Sequence, residues 1–419
     1  MLFSGQAGTA FRAGYRAVTV SCVAAGLLVT SSLSAVAAGG AYEPGTEIAG
    51  GSDAGYSWST YAVSFDDYVY QYATDSEGTA WYNSYDGSDW SGWAYDEDQP
   101  AVISYDPAPV YHSSSSYVFY TGEAGELYDV TGTDSGTPAW TDIAGDYAFD
   151  SAPAASDYDG QVDLYATADD GYIYGTHSTG DGWAEWARVN DETSKGKGGT
   201  EPYAVAWDGY DNVFWTGDDG TVYWNRYDGS SWTGAKPVDG GDYSFDSAAY
   251  AVDYAPEEQL YAYAATSDGA PAYNVFDGAG WAGWQTYDVD WEAKGQPNAY
   301  VYGDAQHIVY GAADGHAYYT DYTADGYSTD WQDLGDNYAY GAQQYGYGDS
   351  LYLTYTGEDG NVYYRTYAAD GGAAAEPSVD SAYPEPSDEP ADPEPTPTPG
   401  YSSEGQNDCR YPDWLPAIA

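Results

Sequence analysis

Basic residues are scarce in this chain of 419 residues: 10 Lys and Arg stand against 67 Asp and Glu, a formal charge of −57. Phosphate neutralisation needs clustered Lys and Arg, so nucleic acid is excluded as a partner. Anionic membranes and strongly anionic glycans are disfavoured for the same reason. Methionine occurs once and long aliphatic helix formers are few, whereas Gly numbers 52. That balance points away from helices and towards many short strands and turns. Disorder is excluded as well, because 18% of the residues are aromatic, with 50 Tyr and 16 Trp available to build a core. The chain reads as folded and all-β. Its surplus of Asp and Glu resembles the surfaces of secreted or salt-adapted proteins and keeps a Tyr-rich exterior soluble.

Long apolar runs are also missing, apart from one near the start. Residues 1–38 contain no acid and read as a secretory signal: Arg12 and Arg16 form the charged region, and Ala17 to Leu33 is apolar or small. Ala35 to Ala38 then supply a small-residue cleavage site. The run is short and broken by Ser and Thr, so no membrane span is expected. The protein is expected to be secreted. Cysteine is nearly absent: Cys22 leaves with the signal, and Cys409 stays alone in the mature chain. An odd thiol in a secreted protein either bridges to another chain or stays unpaired.

Self-similarity sets the architecture. A turn ending in Gly recurs at Gly78, Gly125, Gly171, Gly220, Gly269, Gly315 and Gly360, at intervals of 47, 46, 49, 49, 46 and 45 residues. Acidic or small residues precede the Gly, as in Asp169-Asp170 and Asp218-Asp219. Three residues after it stands an aromatic in six of seven copies, Trp81, Tyr128, Tyr174, Tyr223, Tyr318 and Tyr363, with Ala272 the exception. Trp90, Trp183, Trp232 and Trp281 lie twelve residues after the Gly, and Trp93, Trp140, Trp186 and Trp284 fifteen after. Each period holds four strand-sized runs; in the fourth copy these are 203–207, 212–216, 222–227 and 232–238. The second run is almost wholly apolar, as expected of a strand covered on both faces. Four-stranded units of about 47 residues, buried by their neighbours, are propeller blades.

Seven repeats predict a seven-bladed β-propeller over 39–372. The seventh copy lacks a final Trp-containing strand, while Thr46-Glu47-Ile48 near the N-terminus matches Thr141-Asp142-Ile143, the end of a fourth strand elsewhere. The N-terminal segment is therefore expected to complete blade seven and close the ring. Residues 373–399 are rich in Pro, Glu, Asp and Thr and form an extended linker. Residues 400–419 regain apolar character around Cys409, Trp414 and Leu415. They read either as a frayed terminus or as a docking peptide for another secreted protein.

The unit 202–234, with Trp207, the 212–216 run, Asp218-Asp219-Gly220 and Trp232, resembles the repeat of bacterial fucose-binding seven-bladed propeller lectins and related tectonin-type propellers. The resemblance covers about 45–370. It implies monosaccharide binding, notably of fucose and methylated sugars, in clefts between adjacent blades. The chain departs from that pattern in its acidity and its irregular copies: Ala235 stands where the fourth repeat would have its second Trp.

Sugar rings stack their C–H faces on aromatic rings while nearby amides and carboxylates take the hydroxyls. Trp90, Trp93, Trp183, Trp186, Trp232, Trp281 and Trp284 are the candidate carbohydrate-binding residues on this chemistry. The same rings also serve as the bulk that any propeller needs between its blades. The acidic turns are hairpin chemistry, since Asp accepts backbone N–H groups and Gly takes a positive φ. An enzyme is not expected, and no cofactor or metal. No Gly-x-Ser-x-Gly, His-Glu-x-x-His or P-loop pattern occurs. Arg226 and Arg365 fall in equivalent strands of distant blades, so the converging arginines of a sialidase are absent. His307 and His316 flank a turn, as metal ligands or as ordinary packing and surface residues. The leading reading is a secreted lectin that binds neutral glycans multivalently. The alternatives are a propeller scaffold joined to an assembly through its tail, and a glycosidase with an unrecognised carboxylate pair.

Overall fold

A computed structural model describes residues 40–368, apart from 49–54, 66, 114, 132–137, 241, 248, 328–329 and 336. The signal segment, the linker and the tail with Cys409 lie outside the described residues.

Seven antiparallel sheets follow one another along the chain. Their innermost strands, for example Tyr61–Phe65 in blade one and Tyr203–Trp207 in blade four, stand side by side around a central channel. The last of them, Gln343–Tyr347 of blade seven, packs against the first, so the ring is closed. Among the described residues the only helical element is a single 3-10 turn, Ala255–Glu257. No described helix is long and apolar enough to cross a membrane.

The blade boundaries follow the repeat. In blade four the strands are Tyr203–Trp207, Tyr210–Thr216, Val222–Tyr227 and Lys236–Pro237. The first and third coincide with the runs expected from sequence, but the fourth is much shorter than 232–238. Asp228 accepts the amides of Ser230 and Ser231 (2.9 and 2.8 Å) and tightens the turn. Trp232 then makes one isolated bridge to Tyr227, and the chain bulges through Gly234 at φ +95° before pairing again. Outer strands are two residues long in six blades and four, Ala139–Asp142, in blade two.

The repeated aromatic and the repeated Asp are one device. Tyr174, Tyr223, Tyr318 and Tyr363 each donate a hydroxyl hydrogen bond to the Asp just before the Gly. The other oxygen of that Asp accepts the amide two residues on, as Asp219 does from Thr221 at 2.9 Å. The Gly itself sits at φ between +75° and +88° in all seven copies. At Gly125 an added Cβ would lie 2.9 Å from the backbone of Ala148 and Phe149. Gly125→Ala is therefore expected to cost roughly 2 kcal/mol or more in urea unfolding, from the left-handed backbone and the collision together.

The N-terminal segment completes blade seven. Ala41–Tyr42 and Thr46–Glu47 both pair with Val362–Ala368, and the Ile48 amide donates to the Val362 carbonyl at 2.8 Å. Ile143 does the same to Leu127 in blade two, so the sequence match between 46–48 and 141–143 marks the same structural position.

Candidate functional site

The tryptophans of the repeat lie in the seams between blades. The second member of each pair rests on an aromatic ring that precedes its own blade: Trp93 on Tyr56 at 5.0 Å, Trp186 on Phe149 at 4.7 Å and Trp284 on Phe245 at 4.5 Å. Trp186 donates its indole N–H to the Ile143 carbonyl (2.7 Å) and Trp284 to Val238 (3.1 Å), both just beyond the preceding blade's outer strand. Trp284 is buried with its N–H satisfied and packs the seam, whereas Trp93 and Trp186 are half-buried. The first members are half-buried. Trp183 stands edge-on to Phe119 and donates to Asp129 at 2.9 Å, Trp232 meets Tyr165, and Trp281 meets Phe214 and Trp224. Trp90 packs on Tyr85 and Tyr364. The indole N–H groups of Trp90, Trp93 and Trp281 are buried without a partner.

Concavity with convergent polar groups occurs elsewhere, in a recess of about 380 Å³ between blades six and seven. Arg365, on the third strand of blade seven, reaches into it. Its guanidinium is pinned between the carbonyls of Glu43 (3.1 Å) and Leu334 (2.6 Å), and its Nε is buried with no partner. Asp333 faces it from blade six and accepts from His316 Nδ1 (2.9 Å) and the Gly335 amide (2.7 Å). Partial burial tends to raise the Asp333 pKa, but His316, that amide and the Arg365 charge outweigh it and hold the group below the usual carboxylate range. Gln332, Tyr42 and Pro44 complete the wall. A fixed donor, a fixed carboxylate, an amide and an apolar wall are the equipment for holding a polyhydroxylated ring.

Arg226 is the counterpart in the seam of blades four and five. Its guanidinium lies 3.8 Å over the Tyr210 ring and within 6 Å of Trp224 and Phe276, with Asp208 at 3.4 Å and Nε buried without a partner. Sequence reasoning weighed these two arginines only as sialidase ligands. Their rarity was the available signal: in so acidic a chain, a cation built into a seam stands out.

Carboxyl groups are buried in two further places. Asp106 and Glu201 line the central channel, a cavity of about 260 Å³, where burial and their mutual repulsion raise Asp106 to about 8. Glu201 is raised by burial. In the seam of blades three and four, Asp211 accepts from Ser156 and Tyr165 (both 2.7 Å), and burial lifts it to about 6. Burial, then the charge of Asp211, lifts the neighbouring Asp163 to about 8. The histidines are not brought together: His307 is fully buried against Asp321 at 2.7 Å, whereas His316 bonds Asp333 in the recess. No group of three or more His, Cys, Asp or Glu is placed to hold a metal among the described residues.

No protein-family model and no curated sequence matches the chain. In structure it is similar to the BP39L lectin from Burkholderia pseudomallei, at 15% identity and a TM-score of 0.63, over 76% of this chain and 97% of the lectin. It is also similar to BBS1N, solved in complex with ARL6DN, at 11% identity and a TM-score of 0.52, over 80% and 98% of the two chains. At these identities the likeness is one of fold. The chain shares the propeller fold of a lectin of known structure.

Proposed function

We propose that this is a secreted, non-catalytic lectin that takes neutral sugars, such as fucose or methylated monosaccharides, in recesses between its blades. The observation that carries the reading is the recess between blades six and seven, where Arg365 and Asp333 present a donor and an acceptor across a cavity large enough for a monosaccharide. The fold it shares with a lectin supports the reading. The formal charge of −57 sets neutral sugars above acidic ones. Arg226 is a candidate for a second site, and several weak sites on one ring would act through avidity.

The test is calorimetric titration of L-fucose and methyl α-L-fucoside into the protein. Binding is expected, and Asp333→Asn and Arg365→Lys should each weaken it about tenfold or more, because a point charge does not replace a planar two-pronged donor. Unchanged circular dichroism would show that the fold survives. Wild-type affinity in both variants would remove the recess from consideration. A second reading is a scaffold joined to a partner through the tail and Cys409; BBS1N, which shares the fold, was solved in complex with another protein. A disulfide-linked partner released by reductant would favour it.

A further inference from the structure

We infer that the N-terminal strap is a wall of the recess as well as the closure of the ring, so that ligand occupancy and ring closure are one linked equilibrium. This rests on the sugar-binding reading of the recess.

Tyr42 and Pro44 of the strap line the cavity directly, and the strap carbonyl of Glu43 is one of the two groups that aim Arg365. Without the strap, the recess loses one side and its cation loses one of its two anchors. The strap is held by few bonds: two pairs of residues on each of its two short strands, plus the amides of Glu43 and Ile48. Its grip comes from what it buries.

Tyr42 inserts edge-on between Tyr319 (5.0 Å) and Tyr367 (5.5 Å), and its hydroxyl accepts from Gln344 at 2.7 Å. The Gly40 amide donates to the Tyr367 hydroxyl, which in turn donates to Asp321, both at 3.0 Å. Asp321 is the fully buried partner of His307 and also accepts from Tyr319. The strap is thus tied through one phenol to a buried His–Asp pair in blade six, and it bridges two blades. On its other side the strap runs so close to blade seven that a methyl group at Gly45 would collide with the Tyr355 hydroxyl. Tyr355 has no room to retreat, being buried and stacked on Tyr338 at 4.0 Å.

A ligand that needs the docked strap must favour docking by the same factor by which docking favours the ligand. At a ligand concentration ten times Kd, strap opening should slow about tenfold. Hydrogen exchange of the full chain reads this at the amides of Glu43 and Ile48, with methyl α-L-fucoside as the probe. Gly45→Ala changes no residue that lines the recess, yet it should speed strap exchange and weaken binding at least tenfold. Tyr367→Phe, which removes only the bridging hydroxyl, should act in the same direction and covers the case in which Gly45→Ala does not fold. Binding that leaves strap exchange unchanged would overturn the linkage, as would a variant with fast strap exchange and wild-type affinity. If no sugar binds the wild-type chain, the sugar reading fails and the linkage with it, while Tyr367→Phe without ligand still tests how the strap is held.

Discussion

Raising the pH from 5 to 8.5 is expected to lower the melting temperature by roughly 5–10 °C, several kcal/mol in a domain of this size. The cause is the set of enclosed carboxyl groups: Asp106 and Asp163 pushed up to about 8, Asp211 and Asp253 to about 6, with burial the largest contribution in each. An unfolded Asp titrates near 4. Between that value and the raised one, the folded chain binds more protons than the unfolded chain, so stability falls as pH rises. The contribution is whole below about pH 4 and is lost by about pH 8. Asp86, Asp191, Asp228 and Asp277 are shifted the other way by hydrogen bonds from turn amides and Ser or Thr hydroxyls. They lie at the surface, where solvent screens them, so they oppose the trend weakly and only in acid. Calorimetric scans from pH 4 to 9 in 1 M salt check this, since that salt suppresses surface repulsion while sparing buried groups. Asp163→Asn should flatten the slope. A melting temperature that is level or climbs from pH 5 to 8.5 would refute the account.

Trp284→Ala is expected to cost about 3–5 kcal/mol, as large truncations in packed interiors do. Trp284 is only 6% exposed, lies 4.5 Å from Phe245 and donates to the Val238 carbonyl, so its loss opens a cavity and strands an acceptor in the seam of blades four and five. Trp281 is half-buried in the same seam, and Trp281→Ala should cost less, about 1–2 kcal/mol, by the same reasoning from area removed from water. Urea unfolding followed by circular dichroism separates the two. If Trp284→Ala unfolds like the wild type yet loses sugar binding, its place is in a site and not in the packing.

The fold was legible because every copy carries a Gly at positive φ at the same place in the period. In four of them the Asp before it and the Tyr after it close a single hydrogen-bonded turn, and such turns recur only in an array. Closure was legible for a related reason: Thr46-Glu47-Ile48 meets the same geometric demand as Thr141-Asp142-Ile143. The outer strand of blade four was overestimated, because the pattern of apolar residues around Trp232 does not reveal the bulge at Gly234. The recess was not legible. Its residues come from the strap, from the outer strand of blade six and from the third strand of blade seven, and only the ring brings Tyr42, Asp333 and Arg365 together. The tryptophans were legible as candidates because they repeat, and the structure sets them on aromatic neighbours in the seams. A site confined to one seam leaves no period.

The brevity of the outer strands has a consequence for crowding. Fibril growth by strand addition needs a stretch of about six residues with unpaired backbone groups on offer. Here no outer segment of six blades pairs over more than two consecutive residues, Pro237 withholds an amide, and the innermost strands face the channel. A chain with 50 tyrosines can therefore be packed densely without its sheets joining from one molecule to the next.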